Sequence, residues 1–113
     1  MHELALARSL AELVENEARQ AGAARVMRVR LALGALAHVG PEAMRFCFEA
    51  AVRGTRAEGA GFDIVMIPGA GRCESCGQTV PLPERLAPCP ECGGARVRMT
   101  AGDELRLIEM EVE

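Results

Sequence analysis

The residues with the clearest chemistry are Cys73, Cys76, Cys89 and Cys92, which stand as C-x2-C-x12-C-x2-C. Two residues between thiols let both sulfurs of a tight knuckle turn toward one ion. Gly77 and Gly93, directly behind the two pairs, permit the positive φ such a turn needs. Four thiolates form the closed tetrahedral shell of structural Zn²⁺, with no position left open for a substrate. A rubredoxin-like iron site uses the same knuckles, and spacing alone leaves that alternative open. A redox C-x-x-C would open a helix after a strand of a thioredoxin-like unit, and no such unit is visible. Disulfides do not suit a chain that begins without a secretory signal. The fifth cysteine, Cys47, sits mid-helix among Met44, Phe46 and Phe48, where a free thiol packs as a small hydrophobe.

A second constellation lies in the opening Met1-His2-Glu3. Initiator methionine is generally retained before a bulky second residue, so the amine of Met1, the amide nitrogen of His2 and its imidazole can chelate one ion in fused rings. The amide nitrogen or carboxylate of Glu3 supplies a fourth position. A mostly nitrogen, tetragonal set favours Ni(II) or Cu(II) over Zn²⁺. The plainer alternative is that these residues merely start a helix, with Glu3 at its positive end.

The elements that must position these groups follow from periodicity. Leu6, Leu10, Leu13, Val14, Ala18 and Ala21 recur at helical spacing from Glu3 to about Ala21, opposite Arg8, Glu12, Glu15, Arg19 and Gln20. That is an amphipathic helix, with a Glu15–Arg19 pair and Gly22 as its stop. In ARVMRVRLAL the alternation puts Met27, Val29, Leu31 and Leu33 on one face of a strand. Pro41 and Glu42 suit the first turn of a second helix through AMRFCFEAAV, ending near Gly54. FDIVMI reads as a second strand and ELRLIEMEVE as a third. In the third strand the apolar parity switches between Leu107 and Ile108, which predicts a β-bulge.

These elements predict an α+β fold, a small α/β sandwich of two helices against a three-stranded sheet, built from residues 1–68 and 103–113. Residues 69–102 form an insert too poor in apolar residues to fold on a core, so a zinc-ribbon-like site of four cysteines must hold it together. The flanking PGAG and AGD read as flexible hinges. With 113 residues, half of them apolar and 26% charged, the chain is one small globular unit with a satellite. No apolar run is long enough for a membrane span, and unpaired cysteines without a leader predict a cytoplasmic protein.

The start MHEL, the segments VRLALGAL, PEAMRFCFEA and GTRAEGAGF, both C-x-x-C-G knuckles and the closing GDELRLIEMEVE together resemble the HypA/HybF family of hydrogenase nickel-incorporation proteins. The similarity runs along essentially the whole chain. The resemblance implies a nickel-binding α/β domain carrying a zinc domain as an insert. Nickel is then held through His2, helped by the Met1 amine and Glu3, and zinc by Cys73, Cys76, Cys89 and Cys92. It implies delivery of Ni(II) to [NiFe]-hydrogenase, in some organisms also to urease. The implied partners are a HypB-type GTPase and the hydrogenase large-subunit precursor, with this chain a monomer or weak homodimer. The other histidine, His38 in ALAHVGP, reads as an exposed loop residue rather than a ligand.

No catalytic triad, phosphate loop or carboxylate pair with a base is present, so the expected work is binding and transfer rather than turnover. Two rival classes share the cysteine pattern: a zinc-ribbon nucleic-acid-binding module and a rubredoxin-like electron carrier. Arg72, Arg85, Arg96 and Arg98 tint the insert basic, but the net charge of -3 and the lack of any aromatic between residues 69 and 102 argue against nucleic acid.

Overall fold

Ala7, Leu10, Ala11, Val14 and Ala18 lie at i, i+3, i+4, i+7 and i+11 and form the buried stripe of α1 (Glu3–Gln20). The computed structural model describes residues 2–113, so the expectation for Met1 falls outside the described residues. Leu13 and Ala21, expected on the apolar face, are exposed, and Leu6 is only half-buried. Ala7 and Ala11 are buried instead, in a helix that packs on α2 (Pro41–Ala51). Helix α1 ends as expected at Gly22 (φ +70°). There the N–H of Gly22 bonds Arg19 and that of Ala23 bonds Ala18 (3.0 and 2.9 Å), a Schellman closure. Glu15 does not pair with Arg19. It turns inward to accept the backbone N–H and the guanidinium of Arg56, whose Nε also donates to the Ala23 carbonyl at 3.1 Å.

Helix α2 opens with Pro41 behind the extended residue Gly40, carries Glu42 in its first turn and buries Met44 and Phe48. Phe48 stacks on Phe62 with ring centroids 4.4 Å apart, and Phe46 is 74% exposed. Cys47 is half-buried beside this core and forms no disulfide.

One three-stranded sheet has the order β2-β1-β6, from β1 (Val26–Gly34), β2 (Gly61–Ile67) and β6 (Leu105–Val112). In β1, Val29, Leu31 and Leu33 are buried as the alternation requires, but Met27 is exposed and Val26 is buried in its place. The exception sits at the strand's start, where the Val26 N–H is bonded to the Arg56 carbonyl at 2.9 Å. In β6 only Leu107 and Met110 reach half-burial, three residues apart, while Ile108 and Val112 are exposed. Both parities are thus partly covered within this strand.

The second sheet is also three-stranded, ordered β4-β3-β5, from β3 (Ala70–Cys73), β4 (Thr79–Pro81) and β5 (Val97–Ala101). Both pairings are antiparallel, with Gly71 opposite Val80 and Met99, and Arg72 opposite Thr79 and Arg98. Two small apolar clusters support it: Leu36, Leu82 and Ala87 with Val97 and Met99, and Cys73, Val80 and Cys89 with Val97.

The chain divides into two compact units. The first comprises Met1–Ala32, Val39–Val65 and Arg106–Glu113, the second Leu33–His38 and Met66–Leu105. The glycines read as hinges are close-packed inside the second unit. A Cβ on Gly69 would lie 2.2 Å from the Leu82 carbonyl oxygen, and one on Gly102 (φ +123°) 2.8 Å from the Gly69 Cα. Their glycines let backbones touch rather than swing. No helix among the described residues is long and apolar enough to cross a membrane.

Candidate metal centre

The four knuckle cysteines converge. Their sulfurs all lie within 4.8 Å of one another, with Cys73–Cys92 at 3.6 Å and Cys76–Cys89 at 3.8 Å. Metal–sulfur arms of about 2.3 Å give a tetrahedron with edges of about 3.8 Å, so the cluster has the size of a tetrathiolate shell. Among the described residues it is the only group of three or more His, Cys, Asp or Glu side chains gathered closely enough to hold an ion. All five cysteines are free thiols.

The two knuckles are built alike. In the first, the Cys73 N–H bonds the Gln78 carbonyl and the Gly77 N–H bonds the Cys73 carbonyl, both at 2.9 Å. In the second, the Cys89 N–H bonds the Gly94 carbonyl at 2.9 Å and the Gly93 N–H bonds the Cys89 carbonyl at 2.8 Å. Gly77 and Gly93 close these turns at φ +77° and +76°, a conformation costly to any residue with a Cβ. The turns aim amides at sulfur: Cys76 N–H at Cys73, Glu91 N–H at Cys89 and Gly94 N–H at Cys92, each at 3.4 Å. Gly94 is a contributor that sequence reading passed over. A Cβ there would sit 3.1 Å from Ser75 Oγ and 3.3 Å from Cys92 Sγ; the doubled glycine in ECGG was the available sign.

Cys73 and Cys89 are buried while Cys76 and Cys92 are exposed. Electrostatics separates them as well. The Cys76 N–H lowers the Cys73 thiol to about 6 against the opposition of burial. The Gly94 N–H favours the Cys92 thiolate, but the Cys73 sulfur, burial and the sulfurs of Cys76 and Cys89 together push it up to about 12. The Gln78 N–H likewise favours the Cys76 thiolate, yet burial and the sulfurs of Cys73 and Cys89 raise that thiol above its usual value. Four sulfurs this close cannot all ionise without a cation between them. A soft divalent ion supplies that charge, and the donor set fits one.

The N-terminal candidates are arranged differently. His2 is the N-cap residue of α1 and is exposed; its carbonyl accepts the Leu6 N–H at 2.9 Å, and its side chain makes no capping bond. Glu3, half-buried in the first turn, accepts the Gly40 N–H on Oε2 at 3.2 Å. No third donor residue gathers with His2 and Glu3 among the described residues, and Met1 lies outside them. His38 is exposed at φ +58°, a left-handed conformation, and takes part in no such cluster.

Comparison with known proteins bears on the whole chain at once. Residues 1–112 match the family described as "Hydrogenase/urease nickel incorporation, metallochaperone, hypA". The hydrogenase maturation factor HypA of Methylocella silvestris is 59% identical, and that of Rhodopseudomonas palustris (strain BisB5) 55%; both matches cover all of each chain. Among solved structures, that described as the Ni metallochaperone HypA from Helicobacter pylori superposes with a TM-score of 0.72 at 27% identity, covering 99% of this chain and 97% of that one. A second solution structure, of a HypA protein, gives 0.76 at 26% identity over 100% and 97%. This chain therefore belongs to the HypA family of hydrogenase/urease nickel-incorporation metallochaperones, maturation factors that are not enzymes.

Proposed function

We propose that this chain takes up Ni(II) at its N-terminus, through the Met1 amine, His2 and Glu3, and hands it on during maturation of [NiFe]-hydrogenase or urease. The observation that carries this reading is the state of His2: exposed, at the N-cap of α1, with an imidazole that serves no capping role. It stands beside the chain's own amine in a member of a nickel-incorporation family. Few ligands and little enclosure suit cargo that must be released. Nickel is here the substrate: its coordinate bonds to the donors form and break, protons leave the nitrogen donors as it binds and return as it goes, and the chain's covalent skeleton is unchanged.

Cys73, Cys76, Cys89 and Cys92 would hold Zn²⁺ as the resident ion. Its contribution is structural charge neutralisation of four thiolates, with no exchangeable position. The second unit has only small apolar clusters, so metal binding and folding of this unit are one equilibrium, worth on the order of 10 kcal/mol by analogy with zinc-finger peptides. The functional division follows: residues 1–68 and 103–113 as the nickel-binding part, residues 69–102 as the zinc-binding part. The GTP-driven step belongs to a HypB-type GTPase partner and the recipient is the hydrogenase large-subunit precursor, in the cytoplasm, with this chain a monomer or weak homodimer.

Nickel titration of three proteins tests the reading: wild type, His2→Ala, and a form with one glycine added before Met1. Wild type binds one high-affinity nickel beside one zinc, and both variants lose the nickel while keeping the zinc. An extended form that binds nickel as well as wild type removes the terminal amine from the site.

A further inference from the structure

In the second unit's sheet, Arg72 of β3 stands directly opposite Arg98 of β5, with Thr79 of β4 on its other side. Alternation assigns all three to one face. Gly71 and Cys73 flank Arg72 and are buried, Val97 and Met99 flank Arg98 and are half-buried, and Val80 beside Thr79 is buried. Arg72, Thr79 and Arg98 are exposed. Among the described residues neither guanidinium takes part in a hydrogen bond or ion pair, whereas Arg28, Arg30 and Arg56 each meet a carboxylate. Two residues further along the ladder, past Cys73 and Val97, the Glu74 N–H bonds the Arg96 carbonyl at 2.9 Å, so the nearest acidic residue in register stands opposite a third arginine.

Like charges directly opposite on neighbouring strands destabilise a sheet. A chain of net charge -3 has no shortage of carboxylates to place there, yet this pair has none. We infer that the Thr79–Arg72–Arg98 row is a docking site for an extended acidic segment of a partner protein. Guanidinium forks bind carboxylates through paired hydrogen bonds. Carboxylates at i and i+2 of an extended segment are about 6.6 Å apart along the strand, close to the about 5 Å between opposed Cβ atoms, and the Thr79 hydroxyl adds a donor at the row's end. Nucleic acid is the poorer occupant, because residues 69–102 contain no aromatic side chain for stacking. Where nickel binds has no bearing on this row.

The pair has one competing duty. A divalent ion with four thiolates carries net charge -2, and the Arg72 guanidinium reaches over the first knuckle, where a Cβ on Gly77 would lie 3.9 Å from its Nη2. The experiment separates the two roles. Full-length, metal-loaded protein is titrated into a fluorescein-labelled peptide of alternating glutamate and serine at low salt, read by anisotropy, with zinc content measured for every variant. Arg72→Gln/Arg98→Gln is expected to weaken peptide binding about tenfold, the equivalent of about 1.4 kcal/mol, with zinc retained. Arg72→Lys/Arg98→Lys keeps part of the affinity, Arg8→Gln/Arg19→Gln on α1 keeps all of it, and wild-type binding falls as salt rises. Equal binding by wild type and the double glutamine variant overturns the inference. So does loss of zinc from that variant, which would make the pair counter-ions of the thiolates. Tighter binding of a 20-nucleotide single strand than of the peptide, lost with the same pair, also overturns it.

Discussion

Gly69→Ala is expected to damage the second unit out of proportion to one methyl group. The added carbon would lie 2.2 Å from the Leu82 carbonyl oxygen and 2.7 Å from Leu36 Cδ1. A carbon rests no closer than about 3.3 Å to a carbonyl oxygen, so the Leu82 main chain must withdraw by about 1 Å. That main chain is not free to move. The Leu82 N–H donates to the Gly69 carbonyl at 3.0 Å, and the Leu82 side chain is 1% exposed in the cluster with Leu36 and Ala87. Overpacking costs about 1–3 kcal/mol and a loosened hydrogen bond about 1 kcal/mol more, a total of about 2–4 kcal/mol. Where folding and metal binding are coupled, this loss appears as weaker metal affinity, at about 1.4 kcal/mol per tenfold. A chromophoric chelator should therefore strip the variant's zinc at a concentration roughly thirtyfold to several-hundredfold lower. Gly22→Ala is the comparison: it has open space around it but φ +70°, so it costs about 1 kcal/mol of backbone strain in the first unit and leaves zinc affinity unchanged. A Gly69→Ala protein that holds zinc like wild type would refute the close packing of this glycine.

Other outcomes are equally specific. Phe48→Ala removes a buried ring stacked on Phe62 and should cost about 3–5 kcal/mol, whereas Phe46→Ala on the same helix should stay within about 0.5 kcal/mol; similar melting-temperature losses for both would contradict the assigned burial. Acidification should separate the two metals. Nitrogen ligands bind only when deprotonated, so nickel should leave on mild acidification. The sulfur site has its own window. A Cys73 thiol lowered from 9.0 to about 6 supports the fold fully above pH 9, and that support is lost as pH falls through about 6. Four thiolates hold a soft divalent ion more firmly than nitrogen and oxygen donors do, so zinc should outlast nickel, and simultaneous release would contradict two separate donor sets.

The parts of this molecule legible in its sequence are those set by local spacing. Each C-x-x-C-G closes its own turn over five residues, so the knuckles, their glycines and the convergence of the four sulfurs could be read directly. The periods of α1, β1 and α2 were equally local. What escaped was decided by partners far along the chain. Glu15 turned from Arg19, four residues away, to Arg56, 41 residues away, because the guanidinium also ties the Ala23 carbonyl in place. Ala7 and Ala11 are more deeply buried than Leu13, an order that a hydrophobicity ranking inverts. Gly69 and Gly102 looked like hinges because a linker glycine and a close-contact glycine are written with the same letter. The opposition of Arg72 and Arg98 is a matter of strand register, invisible until β3 and β5 are paired. The nickel site proposed at the amino end rests on the chemistry of three adjacent residues and on family resemblance, with no tertiary contact needed to read it.

On the proposed function, two metals occupy two unlike donor sets, one at the chain's amino end and one among four cysteines. X-ray absorption at the nickel and zinc edges of a single sample, loaded with one equivalent of each, tests it most directly. Nickel is expected to be surrounded by nitrogen and oxygen alone, and zinc by four sulfurs at about 2.3 Å. Sulfur in the nickel shell, or nitrogen in the zinc shell, would contradict it.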